Sequence, residues 1–173
     1  MPADSWIRDP AVGGGRLVGE GCHFVDLCSA VVGAPLATVA ARPLGTGPAT
    51  LPGDSFVLTL AYVDGSVATV TYAAAGSRAL PKERLEVVGA GRAAVIDDFR
   101  SVQLFTQTRR GRSRSVRDKG NAAALDAAFR FFSAGGDPPI AYDSLVETTR
   151  ATFVARDALV HAPGEPRAVP PLA

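Results

Sequence analysis

The chain has 173 residues, a formal net charge of +1, and is 47% hydrophobic, 20% charged and 7% aromatic. That length suits one domain and is awkward for two. The apolar fraction and balanced charge exclude a disordered chain, and a charge so near zero argues against a protein built chiefly to grip nucleic acid or an anionic membrane.

The opening residues Met1-Pro2-Ala3-Asp4-Ser5-Trp6 lack the basic start and apolar core of a signal peptide. The longest apolar stretch, 27–41, is broken by Gly33 and Pro35 and is too short to span a bilayer. These features predict a cytoplasmic protein with no membrane partner. Cys22 and Cys28 then read as reduced thiols acting as small buried apolar groups. Their spacing matches neither a disulfide framework nor a zinc site, and no metal is expected.

In chain order, Gly13-Gly14-Gly15 comes first. Apolar residues then recur at helical spacing from Leu17 to Val32, and Gly33 with Pro35 forms a helix stop. The middle changes period. Residues 36–41, 56–62 and 67–72 read as strands, the last two joined by the hairpin signal Asp64-Gly65. Residues 84–88 and 94–96 read as partners across Gly89-Ala90-Gly91, and residues 102–106 as a further strand. A helix is predicted over 121–132, ended by Gly135-Gly136-Asp137-Pro138-Pro139. Ser144-Leu145-Val146-Glu147 reads as a capping box opening a last helix to about residue 160. Residues 166–173 are expected to be a flexible proline-rich tail. The pattern predicts an α+β fold over residues 1–173 as a single domain. It is an open, largely antiparallel sheet with helices packed on one face. The second sheet face, semi-apolar in strands such as 67–72, predicts a homo-oligomer.

Two segments imitate ligand sites. Gly89-Ala90-Gly91-Arg92-Ala93-Ala94 fits a dinucleotide fingerprint, but strand-like residues follow where a phosphate-binding helix should begin. A β-turn is the expected reading. Arg109-Arg110-Gly111-Arg112-Ser113-Arg114, with Arg117 and Lys119, has no interleaved aromatics. It reads as a solvated hairpin tip in which Arg112 and Arg114 mark the exposed face of an edge strand, and no nucleic acid partner is expected.

Two histidines carry the titratable chemistry. His161 falls at the end of the last predicted helix, where a cation is favoured by the helix dipole. His23 lies within the first, with Glu20 and Asp26 each three residues away and therefore near one helix face. A carboxylate beside an imidazole can orient it and raise its pKa, which suits proton transfer. The alternative is a histidine hydrogen-bonded within a packing layer. Glu20-x-x-His23 has metal-like spacing, but no second such pair exists to complete a di-iron site.

The segment Trp6-Ile7-Arg8-Asp9-Pro10 followed by the run from Gly13 to Leu27 resembles the C-terminal domain of the glucose–fructose oxidoreductase/inositol dehydrogenase/MocA family. Asp64-Gly65-Ser66, the stretch 80–87, Asp97-Asp98-Phe99 and Asp118-Lys119-Gly120 extend the resemblance to about residue 160. The resemblance is strongest to bacterial bi-domain oxidoreductases. It implies a domain that shapes a substrate pocket and forms a dimer through its open sheet, beside an N-terminal Rossmann domain that binds NAD or NADP. It maps the family's catalytic histidine onto His23. The acidic partner often found four residues earlier is Gly19 here, and the nearest carboxylate is Glu20. Gly15, Arg16 and Lys119 become candidates for substrate contact, with a surface turn as the other reading of Lys119. The implied substrate is sugar-like or a polyol.

The Rossmann fingerprint and the family's Glu-Lys-Pro motif are absent from these residues. The expectation is therefore that the chain binds no cofactor alone and is one half of an oxidoreductase, needing a Rossmann partner because side chains do not carry hydride. Two alternatives stay open. One is a non-catalytic module for dimerisation or small-molecule binding. The other is a cofactor-free acid–base enzyme, such as an epimerase or dehydratase, using His23 and Glu20.

Overall fold

The computed structural model describes residues 6, 9, 11–45, 54–77, 79–114 and 118–171. In chain order a π-helical turn (Leu17–Gly21) runs into α1 (Cys22–Val32), followed by β1 (Leu36–Pro43), β2 (Phe56–Tyr62), β3 (Val67–Tyr72), β4 (Arg84–Gly89), β5 (Arg92–Asp97), β6 (Ser101–Phe105), β7 (Arg110–Arg114), α2 (Asn121–Ala134), α3 (Tyr142–His161) and β8 (Arg167–Ala168). The α+β class and the antiparallel pairing hold, and the strands divide into two four-stranded sheets. The chain forms two compact units, Met1–Ala75 with Ile140–Ala173, and Gly76–Pro139.

The first unit contains the sheet β3-β2-β1-β8, antiparallel throughout. β2 alternates as a half-buried strand should: Phe56, Leu58, Leu60 and Tyr62 are buried, and Thr59 faces out. The buried set meets Val25 of α1 and the small residues Ala151, Ala155 and Ala158 of α3 in one core. Those alanines recur at one helix face, so α3 lies close against β1. Phe56, Leu58 and Leu60 are fully buried, each contributing about 1.5–3 kcal/mol by removal from water. α1 ends as its sequence predicts, at Gly33 with φ 72°, its N–H donating to Ser29 O at 2.8 Å.

One expectation is corrected here. α3 starts at Tyr142 with Ala141 as its cap, so Ser144 lies inside the helix and no capping box forms. The Glu147 carboxylate is used elsewhere: its Oε1 accepts the Leu36 N–H at 2.9 Å, fixing the start of β1. Residues 167–171 make contacts of their own. Arg167–Ala168 pairs with β1, the Val169 N–H donates to Ala37 O at 2.9 Å, and Arg150 Nη1 donates to Pro171 O at 2.6 Å. Residues 172–173 lie outside the described residues.

The second unit contains the sheet β4-β5-β6-β7, again antiparallel. Two of its turns between strands use positive φ. Ala90 (48°) and Gly91 (70°) join β4 to β5, and Asp98 (48°) and Phe99 (53°) lead from β5 to β6. Gly120 N–H donates to Asp118 Oδ1 at 2.8 Å just before α2. Among the described residues no helix is long and apolar enough to cross a membrane.

Candidate functional site

The site is built from the glycine-rich entry into the first helix. Gly14 and Gly15 sit at φ 72° and 82°, a region that side chains rarely adopt. A Cβ on Gly14 would also lie 2.9 Å from Val18 Cβ, whereas one on Gly15 would meet nothing within 4 Å. Gly14 is therefore required by packing. Gly15 leaves its surface open.

Arg16 begins the helix and is held from three sides. Its Nε donates to Asp54 Oδ1 at 3.1 Å, its Nη1 donates to the Tyr72 hydroxyl at 3.3 Å, and Nη1 lies 3.7 Å from Glu20 Oε2. The Tyr72 hydroxyl donates in turn to Glu20. Tyr72 is kept in place by stacking on Phe56, with centroids 5.0 Å apart and planes at 9°, and by the edge of Phe24. Burial pushes the Tyr72 hydroxyl up, and its bond to Glu20 adds to this. Burial works against the Arg16 charge, but Tyr72 and Asp54 outweigh it and hold the guanidinium protonated beyond its ordinary range.

Between Arg16 and α1 the helix widens. The Cys22 N–H bonds back to Leu17 O, five residues away, and Leu17–Gly21 forms a π-helical turn. Gly21 allows that turn to rest on β2, since a Cβ there would meet Phe56 Cζ at 2.8 Å.

His23 follows within the first turn of α1 and is exposed. It makes no hydrogen bond or ion pair among the described residues. The carboxylates expected beside it are engaged elsewhere: Glu20 by Tyr72 and Arg16, and Asp26 by the Thr148 hydroxyl at 3.4 Å. Glu20 and Arg16 thus come together, with His23 one turn further along. Asp54 and Tyr72 complete the cluster and escaped the sequence reading. They lie 38 and 56 residues from Arg16, and no local spacing marks them.

Lys119 belongs to the second unit. Its ammonium pairs with Glu83 and lies 5.6 Å from the Phe99 ring centroid, while the Asp118 N–H donates to Phe99 O at 3.3 Å. The segments around Asp98-Phe99 and Asp118-Lys119 therefore meet, and Lys119 braces the positive-φ turn. His161 lies 3.7 Å from Asp157 one turn back on α3. Cys22 and Cys28 are half-buried free thiols, both pushed up by burial. No group of three or more metal-ligating side chains stands together among the described residues.

The only nucleotide-like motif does not fit a dinucleotide. Gly89 pairs with Arg92 across the two-residue turn Ala90-Gly91, and β5 follows where the phosphate site would need a helix N-terminus.

No curated protein matches this chain. Solved structures do. An NAD binding oxidoreductase from Klebsiella pneumoniae superposes with a TM-score of 0.76 at 14% identity, covering 96% of this chain and 54% of that one. A levoglucosan dehydrogenase in complex with NADH gives 0.73 at 16% identity, covering 97% and 54%. An aldose-aldose oxidoreductase from Caulobacter crescentus complexed with glycerol gives 0.72 at 18% identity, covering 91% and 50%. These likenesses show the fold, and the chain spans about half the length of each. The GFO/IDH/MocA C-terminal domain profile matches residues 1–95, more than half of the sequence. The chain belongs to the GFO/IDH/MocA C-terminal domain family.

Proposed function

We propose that this chain supplies the substrate-binding and proton-transfer half of an NAD(P)-dependent oxidoreductase acting on a sugar-like or polyol alcohol. The observation that carries this reading is His23. It stands exposed on the helix that follows the glycines, with no protein partner among the described residues, so its imidazole is free to accept a hydrogen bond from a substrate hydroxyl. Arg16, Glu20, Tyr72 and Asp54 form a hydrogen-bonded cluster at the preceding turn of the same helix, and Gly15 lets a substrate approach the backbone. Lys119 braces the second unit. Alcohol oxidation removes one proton and one hydride. His23 takes the proton. The hydride needs a nicotinamide held by a Rossmann domain, in the same chain or another, because the Gly89–Gly91 turn does not fit one. The names of the similar structures, levoglucosan dehydrogenase and aldose-aldose oxidoreductase, support the sugar-like class.

Dimerisation belongs to the same reading. In the second unit Leu85, Val87, Ala94, Ile96, Val102 and Leu104 fall on one sheet face by strand register. Leu104 is 56% exposed. A second copy of that face would cover it.

The test combines the chain with a separately produced Rossmann domain of the family and follows NAD(P)H formation on aldoses and polyols. His23→Asn should lower kcat by about 10²–10⁴-fold with KM little changed. A variant as fast as the parent removes the proton-transfer role. The chain alone should show no binding of NADH in a titration. Tight binding would overturn the division of labour.

A further inference from the structure

We propose that the outer edge of β7 is a docking strand for an extended acidic peptide. β7 is the last strand of its sheet, and among the described residues no strand pairs with its outer side. The phase of its backbone is set at the hairpin. The Thr106 N–H donates to Arg109 O at 2.9 Å, so by antiparallel alternation Gly111 and Ser113 direct their N–H and C=O groups toward β6. Arg110, Arg112 and Arg114 direct theirs toward the open edge.

The same three residues share one sheet face, opposite Phe105, Gln103 and Ser101 of β6. Alternate residues of a strand are spaced by about 7 Å, so the face carries a ladder of three guanidinium groups at that interval. Arg110 is already engaged: it lies 5.4 Å from the Phe105 ring centroid and donates to Gln103 Oε1 at 2.6 Å. Arg112 and Arg114 are exposed and make no hydrogen bond or ion pair with the described residues. Like charges held beside one another on a sheet face are unfavourable until a counter-charge arrives.

An extended peptide with carboxylates at alternate positions satisfies both features at once. Its backbone completes the open edge and its acidic side chains match the spacing of the ladder. A nucleic acid supplies phosphates but no matching backbone donors, and the ring beside the ladder, Phe105, already lies under Arg110. A second copy pairing through the same edge would set one arginine ladder against another.

The probe is a fluorescent seven-residue peptide alternating glutamate with valine or threonine, followed by anisotropy at low salt with the whole chain. It should bind at least roughly tenfold more tightly than a peptide of equal composition with contiguous glutamates, and than the same peptide N-methylated at the amides that would face β7. Substitution of Arg112→Ser with Arg114→Ser should weaken it by a similar factor, with circular dichroism and melting unchanged. Three results would overturn the proposal: no binding of the alternating peptide, equal binding of the contiguous or N-methylated peptide, or tighter binding of oligothymidylate. Any of these leaves the arginines as guards of an open sheet edge. Because β7 lies outside the His23 site, the outcome is independent of the oxidoreductase reading.

Discussion

The two units contain sheets of the same strand number and pairing, yet only one carries a core. In the first, α1 and α3 cover the sheet, and Phe56, Leu58 and Leu60 are sealed from water. In the second, Ser101 is the only buried residue among the described ones, and Phe129 and Phe132 of α2 remain 71% and 82% exposed. Strand pairing satisfies backbone hydrogen bonds in both. Burial of apolar area, which supplies most of the stability, makes a closed core only in the first. The contrast teaches that ladder and core are separable: the second unit has its ladder hydrogen bonds while Phe129 and Phe132 stay exposed.

The sharpest way to break this contrast is a matched pair of truncations. Leu58→Ala should cost about 2–5 kcal/mol in chemical denaturation, because it empties a closed core. Leu104→Ala should cost less than about 1 kcal/mol in dilute protein and instead weaken self-association, read by light scattering across concentration. Equal costs at the two positions would refute the contrast.

A smaller effect is expected within the site. Gly14→Ala should destabilise by about 1–3 kcal/mol, since strain adds to the clash with Val18, and Gly15→Ala by about 1 kcal/mol, from backbone strain alone. Thermal melts of the two variants would rank them. The tyrosines of the first unit add a pH test. Tyr62 and Tyr72 are both pushed up, chiefly by burial, so the folded state holds these protons more tightly than the unfolded chain. Their contribution is fully present below the ordinary tyrosine value near 10 and is lost as the pH rises through the higher folded values. Tyr72→Phe should flatten that alkaline loss; an unchanged slope would show that Tyr72 does not drive it. The smallest expected change is Phe129→Ser with Phe132→Ser. Stability should shift by about 0.5 kcal/mol or less, while binding of a hydrophobic dye falls. A large loss of stability would mean that α2 is better packed than its exposure indicates.

Much of the architecture could be read from local pattern. Alternation in residues 56–62, Asp64-Gly65 between strands, and Gly33 after an apolar helix each encode their element within a few residues. What escaped the reading depends on distant partners. Glu147 resembles a capping residue until Leu36, 111 positions away, takes its carboxylate. Two-residue β8 has no pattern of its own and exists because β1 offers an edge. The site shows the same division. His23 and Glu20 were marked by spacing on one helix and Arg16 only by the family resemblance, whereas Asp54 and Tyr72 enter only when β2 and β3 fold back beside it. The turn at Ala90-Gly91 was separable from a phosphate loop because the next residues favour a strand.

The π-helical turn at Leu17–Gly21 has a consequence for aim. It acts as one extra residue wound into the helix, and each residue of an α-helix advances the side-chain direction by about 100°. Everything beyond Gly21 is therefore rotated by roughly a quarter turn relative to Arg16. Deleting Gly19 would restore ordinary winding and leave His23 with the same aim, whereas winding all the present residues as α-helix would swing it by that angle, with its chemistry intact and its direction lost. The widened turn is in this sense a sighting adjustment, setting where the imidazole points rather than what it can do.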